Sequence, residues 1–531
     1  MTAKEQDKFF SAARMVAFLT LASRILGLIR DMIMVPLGSP VMADRFWTAF
    51  GIPNLFRRLF GEGALSSAFV PVYTEVCEAK GMNRARLVLA NVAGILAIIL
   101  CCIILLVSLG LWAWWEICGG DYYRLVLLQF TGIMLPFMFT ICMLALGSAA
   151  LNCRGHFAYP AFAPLILNVG MIITAKCIAP AICKTDIGQF YVYCVSVVVS
   201  GVVQLVGVVW LLKKSGLAAL ANFRPILPET KEIGRLMLPM LVPISILQFS
   251  AFADWLIALK FTATPDSPNL PLTDGTVRCL YAANRLYQMP MGVLAISIAT
   301  VVFPLFSRYA SRNDRLGLKD ATNRALRLSL FLGIPSGLAL IIMARPIIEL
   351  LFQRKNFLES DTIRTAHMLQ AYSVGMWAYF CNHILLRAFY AIKQPRKPLQ
   401  IACGLVCLNL ALVICGIFTP LKGSAIGLAT AITSSANTVL LIWFLRKQVG
   451  LIGFRKILKS LAKITVASSV MVLGILAAMY GTEQIPLQHH VTLSGIIKVV
   501  AGVAGGMACY FITAFALKSP ELPEIIKRRA A

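Results

Sequence analysis

Uninterrupted apolar runs, each of about twenty residues, recur along almost the whole chain, and no other feature limits its fold so much. A run of that length spans a hydrocarbon core about 30 Å thick at about 1.5 Å per residue. Lipid offers the backbone no hydrogen-bond partners, so each run must be a helix. A transmembrane barrel would instead alternate polar and apolar residues over segments of about ten. The composition agrees: the 531 residues are 59% hydrophobic and 14% charged, against about 45–50% and about 25% in a soluble domain.

The runs predict an all-α polytopic membrane protein of about fourteen spans. The windows are 15–37, 43–76, 88–112, 125–151, 157–178, 190–212, 233–261, 277–306, 325–343, 366–391, 399–418, 424–445, 461–480 and 493–517. The second and eighth are long and contain prolines, which predicts bends or partly extramembrane segments. The first run carries Arg24, Arg30 and Asp31, unlike a cleavable signal peptide, so it is read as a retained helix.

Net charge is +26. On a soluble chain that would point to nucleic acid. Here the cations collect in alternate loops: Lys80, Arg84 and Arg86; Lys213, Lys214 and Arg224; Lys393, Arg396 and Lys397; Arg446, Lys447 and Arg455; and Lys527 to Arg529. The intervening loops are poorer in base, as in the stretch 262–275 with two aspartates and no base; Arg345, Arg354 and Lys355 are exceptions in one external loop. The positive-inside rule then places both termini in the cytoplasm and leaves no role for nucleic acid. Most of the 15 cysteines lie in apolar runs and read as small buried hydrophobes, without zinc-site spacing. Cys177 and Cys183 flank a predicted external loop, where they are close enough in sequence to pair.

A weak repeat has a period of six helices. Asn152 to Pro160 with Asn168 beyond it parallels Phe389 to Pro395 with Asn409 beyond it. Ala43-Asp44-Arg45, Pro53 and Pro71 parallel Ala283-Asn284-Arg285, Pro290 and Pro304. This predicts two six-helix lobes, 1–222 and 223–450, with an added two-helix segment at 451–531. Two such halves are a common transporter plan, with substrate held between them.

Charges inside spans carry the functional signal. A basic residue at a helix centre costs about 2.5–3.5 kcal/mol, so four uncompensated arginines would cost about 12 kcal/mol. Ser23, Gly27 and Arg30 share one helical stripe, and Arg24 and Asp31 the next. Arg58 and Glu62 stand four apart and are placed to pair, which leaves Arg57 the freer cation. On the eighth span Tyr281, Arg285 and Gln288 share a face. The alternative is that these arginines snorkel or form buried ion pairs, a reading that weighs most for Arg45 and Arg58. Nearby acids are too few to neutralise Arg24, Arg30, Arg57 and Arg285. A surplus of cations in a polar cavity implies an anionic ligand, and the guanidinium fork suits phosphate and carboxylate. Asp254 is a lone acid in an apolar run, either paired with an arginine or a ligand for a coupling cation, with Asn409 and Thr433 as oxygen donors.

The N-terminal motifs resemble the MurJ/MviN lipid II flippases. The resemblance is carried by Ser23-Arg24 through Arg30-Asp31, by Ala43-Asp44-Arg45-Phe46, and by Pro53-Asn54-Leu55-Phe56-Arg57-Arg58 through Pro71. Tyr281 to Leu286, Tyr372 to Gly375 and Phe389 to Ala391 extend it over essentially the whole chain. It implies the multidrug/oligosaccharidyl-lipid/polysaccharide exporter fold, with two further C-terminal helices forming a groove for a lipid tail. The implied substrate is lipid II, undecaprenyl pyrophosphate bearing a disaccharide-pentapeptide. The implied substrate-binding residues are Arg24, Arg30, Arg57 and Arg285, with Asp44, Ser23 and Asn54. Some relatives use sodium, through an acid near the position of Asp254; no other cofactor is implied. Cell-wall synthesis proteins are conceivable partners beside lipid II and membrane lipids. The chain departs from some relatives at Gly51, where they have lysine, and at Asn284, where they have aspartate. The competing readings are an exporter of another polyprenyl-linked glycan or a drug, a membrane-embedded glycan polymerase, and a cell-wall scaffold. A polymerase needs catalytic acids in a sizeable external loop, and the external loops here are short.

Overall fold

The computed structural model describes residues 3–118, 122–217, 221–450, 453–484 and 491–526. Among these the chain is helical, with no β-strand. It divides into two compact units, Met1–Arg278 and Cys279–Ala531. Ten helical segments among the described residues are long and apolar enough to cross a membrane, and the chain is a multi-pass membrane protein.

The first unit contains α1 (Ala3–Met34), α2 (Pro40–Phe56), α3 (Leu65–Glu75), α4 (Gly81–Cys118) and α5 (Tyr122–Cys153). It continues through α6 (Ala158–Ile173), α7 (Ala179–Ile182), α8 (Asp186–Lys214) and α9 (Pro228–Lys260). Then α10 (Thr276–Pro290) crosses the boundary between the units. The second unit continues with α11 (Ile296–Ser311), α12 (Arg315–Phe352), α13 (Glu359–Val374), α14 (Met376–Ala391), α15 (Arg396–Ile417) and α16 (Ser424–Val449). It ends with α17 (Phe454–Glu483), α18 (Val491–Ala516) and the short α19 (Leu522–Ile526).

Both of the long windows are interrupted. A π-helical turn at Arg57–Ala64 separates α2 from α3, and another at Met291–Ala295 separates α10 from α11. Such turns insert a residue into the helical ladder and re-aim the side chains beyond it. The predicted span at 366–391 is α13 and α14, divided at Gly375. A Cβ there would fall 2.7 Å from Ala431 Cα, so only glycine lets α16 approach so closely.

The boundary between units falls later than the lobe boundary expected at 222/223, because α9 packs on α2, α3 and α4. The segment leading into α9 is strapped to α4. Asn91, 1% exposed, donates to the carbonyls of Asn222 (3.1 Å) and Pro225 (3.0 Å) and accepts from the Leu227 N–H (3.1 Å). The Asn222 N–H donates to the Ala90 carbonyl at 3.0 Å. Gly94 makes this crossing possible, since a Cβ there would sit 2.6 Å from the Asn222 carbonyl oxygen. One turn into α9, the buried Glu229 accepts from Arg84 at 2.8 and 3.0 Å and from Lys80 at 3.0 Å. Those cations hold its carboxyl down at about 2.

In the second unit, α17 and α18 pack on each other and on α12. Phe331 and Tyr510 lie in their shared core, where the Tyr510 hydroxyl donates to the Phe331 carbonyl at 2.6 Å. Glu521, 1% exposed, accepts from Arg327 (2.8 Å), Ser460 (2.9 Å) and Ser519 (2.7 Å), tying the chain's end to α12 and α17. Cys177 and Cys183 do not pair; both are free thiols.

Candidate functional site

In the first unit α1 packs against α6, and the two predicted stripes of α1 part company. Arg24 is exposed and has no polar partner among the described residues. Arg30 is buried: its Nε and Nη2 donate to Asp31 Oδ1 at 2.9 and 2.6 Å, and its Nη1 donates to Asn168 Oδ1 at 3.1 Å. The Phe50 ring lies 5.8 Å from its guanidinium carbon. This corrects the charge reading from sequence, in which Arg30 was uncompensated. Adjacent side chains leave a helix about 100° apart, yet the long arginine arm folds across that angle onto its neighbour. Ser23 contributes its backbone, because its carbonyl accepts from Asn168 Nδ2 at 3.2 Å.

On α2, Asn54 supports Arg57. Its Nδ2 donates to the Phe50 carbonyl at 2.8 Å, and its Oδ1 accepts from Arg57 Nε at 3.3 Å. Arg58 reaches Gln248 on α9 at 3.3 Å, while the side chain of Glu62, its expected partner, lies outside the described residues. Gly51 faces α9, where Phe252 and Trp255 occupy the space beside its Cα.

Asp44 is fully buried, and its Oδ1 accepts from the Arg278 backbone N–H at 2.8 Å. A carboxylate on α2 thus caps the first turn of α10, where unpaired N–H groups and the helix dipole favour negative charge. Arg45, beside it, donates to the Val41 carbonyl at 3.2 Å and lies over the Tyr123 ring at 5.3 Å.

In the second unit, Arg285 is half-buried on α10, and one turn further on Gln288 donates to Asn284 at 2.9 Å. The departure at Asn284 therefore puts a neutral amide pair on this face. Thr433 donates to Asn409 Oδ1 at 3.4 Å, and both are buried. Asp254 is buried in the first unit, and no group of three His, Cys, Asp or Glu among the described residues is arranged to hold a metal. Sequence reasoning marked Asn168 only as a repeat position. A lone amide in the otherwise apolar run of α6 was the available signal, since burying one without a partner is unfavourable.

Arginines held on internal amides and carboxylates of a multi-pass helical protein mark a path for an anionic substrate, as in a transporter. The fold is similar to that of a solved inward-facing multidrug transporter of the MATE family, which covers 82% of this chain with a TM-score of 0.62 at 16% identity. A solved structure described as lipid II flippase MurJ, inward closed conformation, covers 95% of this chain and 99% of its own, with a TM-score of 0.73 at 22% identity. The family model described as lipid II flippase MurJ matches residues 33–498, and the chain belongs to that family. A probable lipid II flippase MurJ of Vibrio cholerae is 31% identical over 526 residues, spanning 95% of this chain and 96% of its own length. One from Rhizobium meliloti is 30% identical over 524 residues, 96% of this chain and 95% of its own.

Proposed function

We propose that this protein flips lipid II from the cytoplasmic to the outer leaflet of the bacterial inner membrane by alternating access, for cell-wall synthesis. Membership of the family over nearly the whole chain carries this reading. Arg24, Arg30 and Arg57 of the first unit and Arg285 of the second are the residues we take to meet the anionic head, Arg30 from its seat on Asp31 and Asn168. Pyrophosphate and peptide carboxylates are the groups a guanidinium fork binds best. Asn54 orients Arg57 and Ser23 anchors the frame of α1, so these two act on the ligand mainly through the arginines. Asp44 seats α2 on the first turn of α10 through the Arg278 N–H, and so fixes the frame in which α2 presents Arg57.

Directed transport needs the head to bind the two states unequally. We assign the bias to a coupling cation such as sodium, with the buried carboxylate of Asp254 as its charged ligand, an oxygen of the hard type sodium prefers. Asp254→Asn then removes the dependence of transport on sodium; unchanged sodium dependence in that variant excludes the site.

The deciding experiment measures lipid II at the outer face of cells in which this is the only flippase. Wild type exposes it, and Arg24→Ala at matched expression loses most of that exposure. A folded wild type that exposes none would redirect the reading to another polyprenyl-linked glycan.

A further inference from the structure

We propose that Asn168 is a positioning residue for lipid II recognition, setting the orientation in which Arg30 meets the substrate; this rests on the reading of Arg30 as a substrate ligand. Asn168 is 6% exposed on α6, a helix whose sequence is otherwise apolar around it (Ala158–Ile173, AYPAFAPLILNVGMII). An amide in such a run is retained where both its ends are used. Here Oδ1 accepts from Arg30 Nη1 at 3.1 Å, and Nδ2 donates to the Ser23 carbonyl at 3.2 Å. The amide has one workable orientation. Turned over, it would set NH2 against the guanidinium and carbonyl against carbonyl.

Ser23 and Arg30 are seven residues, or about two helical turns, apart on one face. Gly27 is buried on the stripe between them. One amide therefore ties the arginine head to a fixed point on its own helix two turns away. Asp31 holds Nε and Nη2 through a single oxygen, Oδ1. Without Asn168 the Nη1 arm loses the contact that sets its angle, and the guanidinium turns further onto its neutralising acid, away from an incoming phosphate. With Asn168 in place, all three guanidinium nitrogens are engaged before substrate arrives, and little ordering is left for binding to impose.

The role is separable from plain structural support. Lipid II binding to the purified full-length protein is measured for wild type, Asn168→Leu, Arg30→Lys, the double variant and Arg24→Ala, with each variant's melting temperature recorded alongside. Asn168→Leu weakens binding about tenfold, the size of one lost hydrogen bond to a charged group. Arg30→Lys keeps a cation opposite Asp31 but lacks the second arm that reaches Asn168. In that background Asn168→Leu costs no further affinity. Asn168→Asp still accepts from Arg30 but no longer donates to Ser23 and sets a second carboxylate on the guanidinium, so it too weakens binding, and it covers the case in which the leucine variant fails to fold; wild-type affinity in a folded Asn168→Asp overturns the proposal. Losses that simply add in the double variant overturn the proposal, as does wild-type affinity in Asn168→Leu while Arg24→Ala is weakened. Wild-type affinity in both Arg24→Ala and Arg30→Lys would instead sink the arginine-site reading, and the role of Asn168 with it.

Discussion

At the scale of single residues, the membrane makes charge legible and leaves pairing obscure. Arginines in apolar runs stand out because each is so unfavourable there. Helical periodicity, however, gives the direction in which a Cβ leaves the helix and not where a long side chain ends. For that reason Arg24 and Arg30 looked equivalent in sequence, whereas Arg24 is exposed and Arg30 is locked to Asp31 and Asn168. Gly51 shows the same gap from the other side. Its departure from the lysine of some relatives reads in sequence as a lost cation, and in the structure as a gain of packing. A Cβ at this position would lie 3.2 Å from Phe252 Cε2 and 3.3 Å from Trp255 Cζ3, so the aromatic pair of α9 fills the room a side chain would need. Gly51→Lys should therefore destabilise the protein by about 1–3 kcal/mol, the usual effect of overpacking. Trp255→Ala in the same chain should recover part of it, with both read by thermal unfolding in detergent. An unchanged melting temperature for Gly51→Lys would mean that α9 yields there at no cost.

At the scale of elements, spans were legible and their joints were not. The proline-containing windows foretold interruption of the second and eighth spans, but not that a π-helical turn would do it in both. The strap on α4 was hidden because its contacts join residues more than 130 positions apart in sequence through backbone groups, which leave no compositional trace. Its charged end makes a prediction about acid. Glu229 is held below its ordinary value of 4.5, at about 2, first by its hydrogen bond to Arg84. A carboxylate with a depressed folded-state value adds stability in full above its unfolded value; that stability fades as pH falls and is gone below the folded value. The tie between α4 and α9 is thus complete above about pH 4.5 and lost toward about pH 2. Wild type should melt higher than Glu229→Gln at neutral pH, and the two curves should converge across that acid interval. A gap that persists at the acid end would assign the effect of Glu229 to something other than its charge.

At the scale of the whole molecule, the distribution of charge says more than its sum. Between Asp361 and Glu483 the sequence has no acidic residue, and it has twelve basic ones: Arg364, Arg387, Lys393, Arg396, Lys397, Lys422, Arg446, Lys447, Arg455, Lys456, Lys459 and Lys463. Most of these stand at the start of α15, the end of α16 and the start of α17, ends that an alternating helix path puts on one side of the membrane. The opposite side receives the stretch 262–275, which has two aspartates and no base. Because orientation follows the Lys and Arg bias, Ser267 should face outward and Lys397 the cytoplasm. In a variant cleared of native cysteines that still exposes lipid II, Ser267→Cys should react with a membrane-impermeant maleimide in intact cells. Lys397→Cys should react only after permeabilisation. Both positions are exposed, so a failure to label reports sidedness and not burial. The reverse pattern would place both termini outside. The order in which the head enters and leaves would then have to be reversed, so the labelling pattern tests the proposed direction of transport together with the topology.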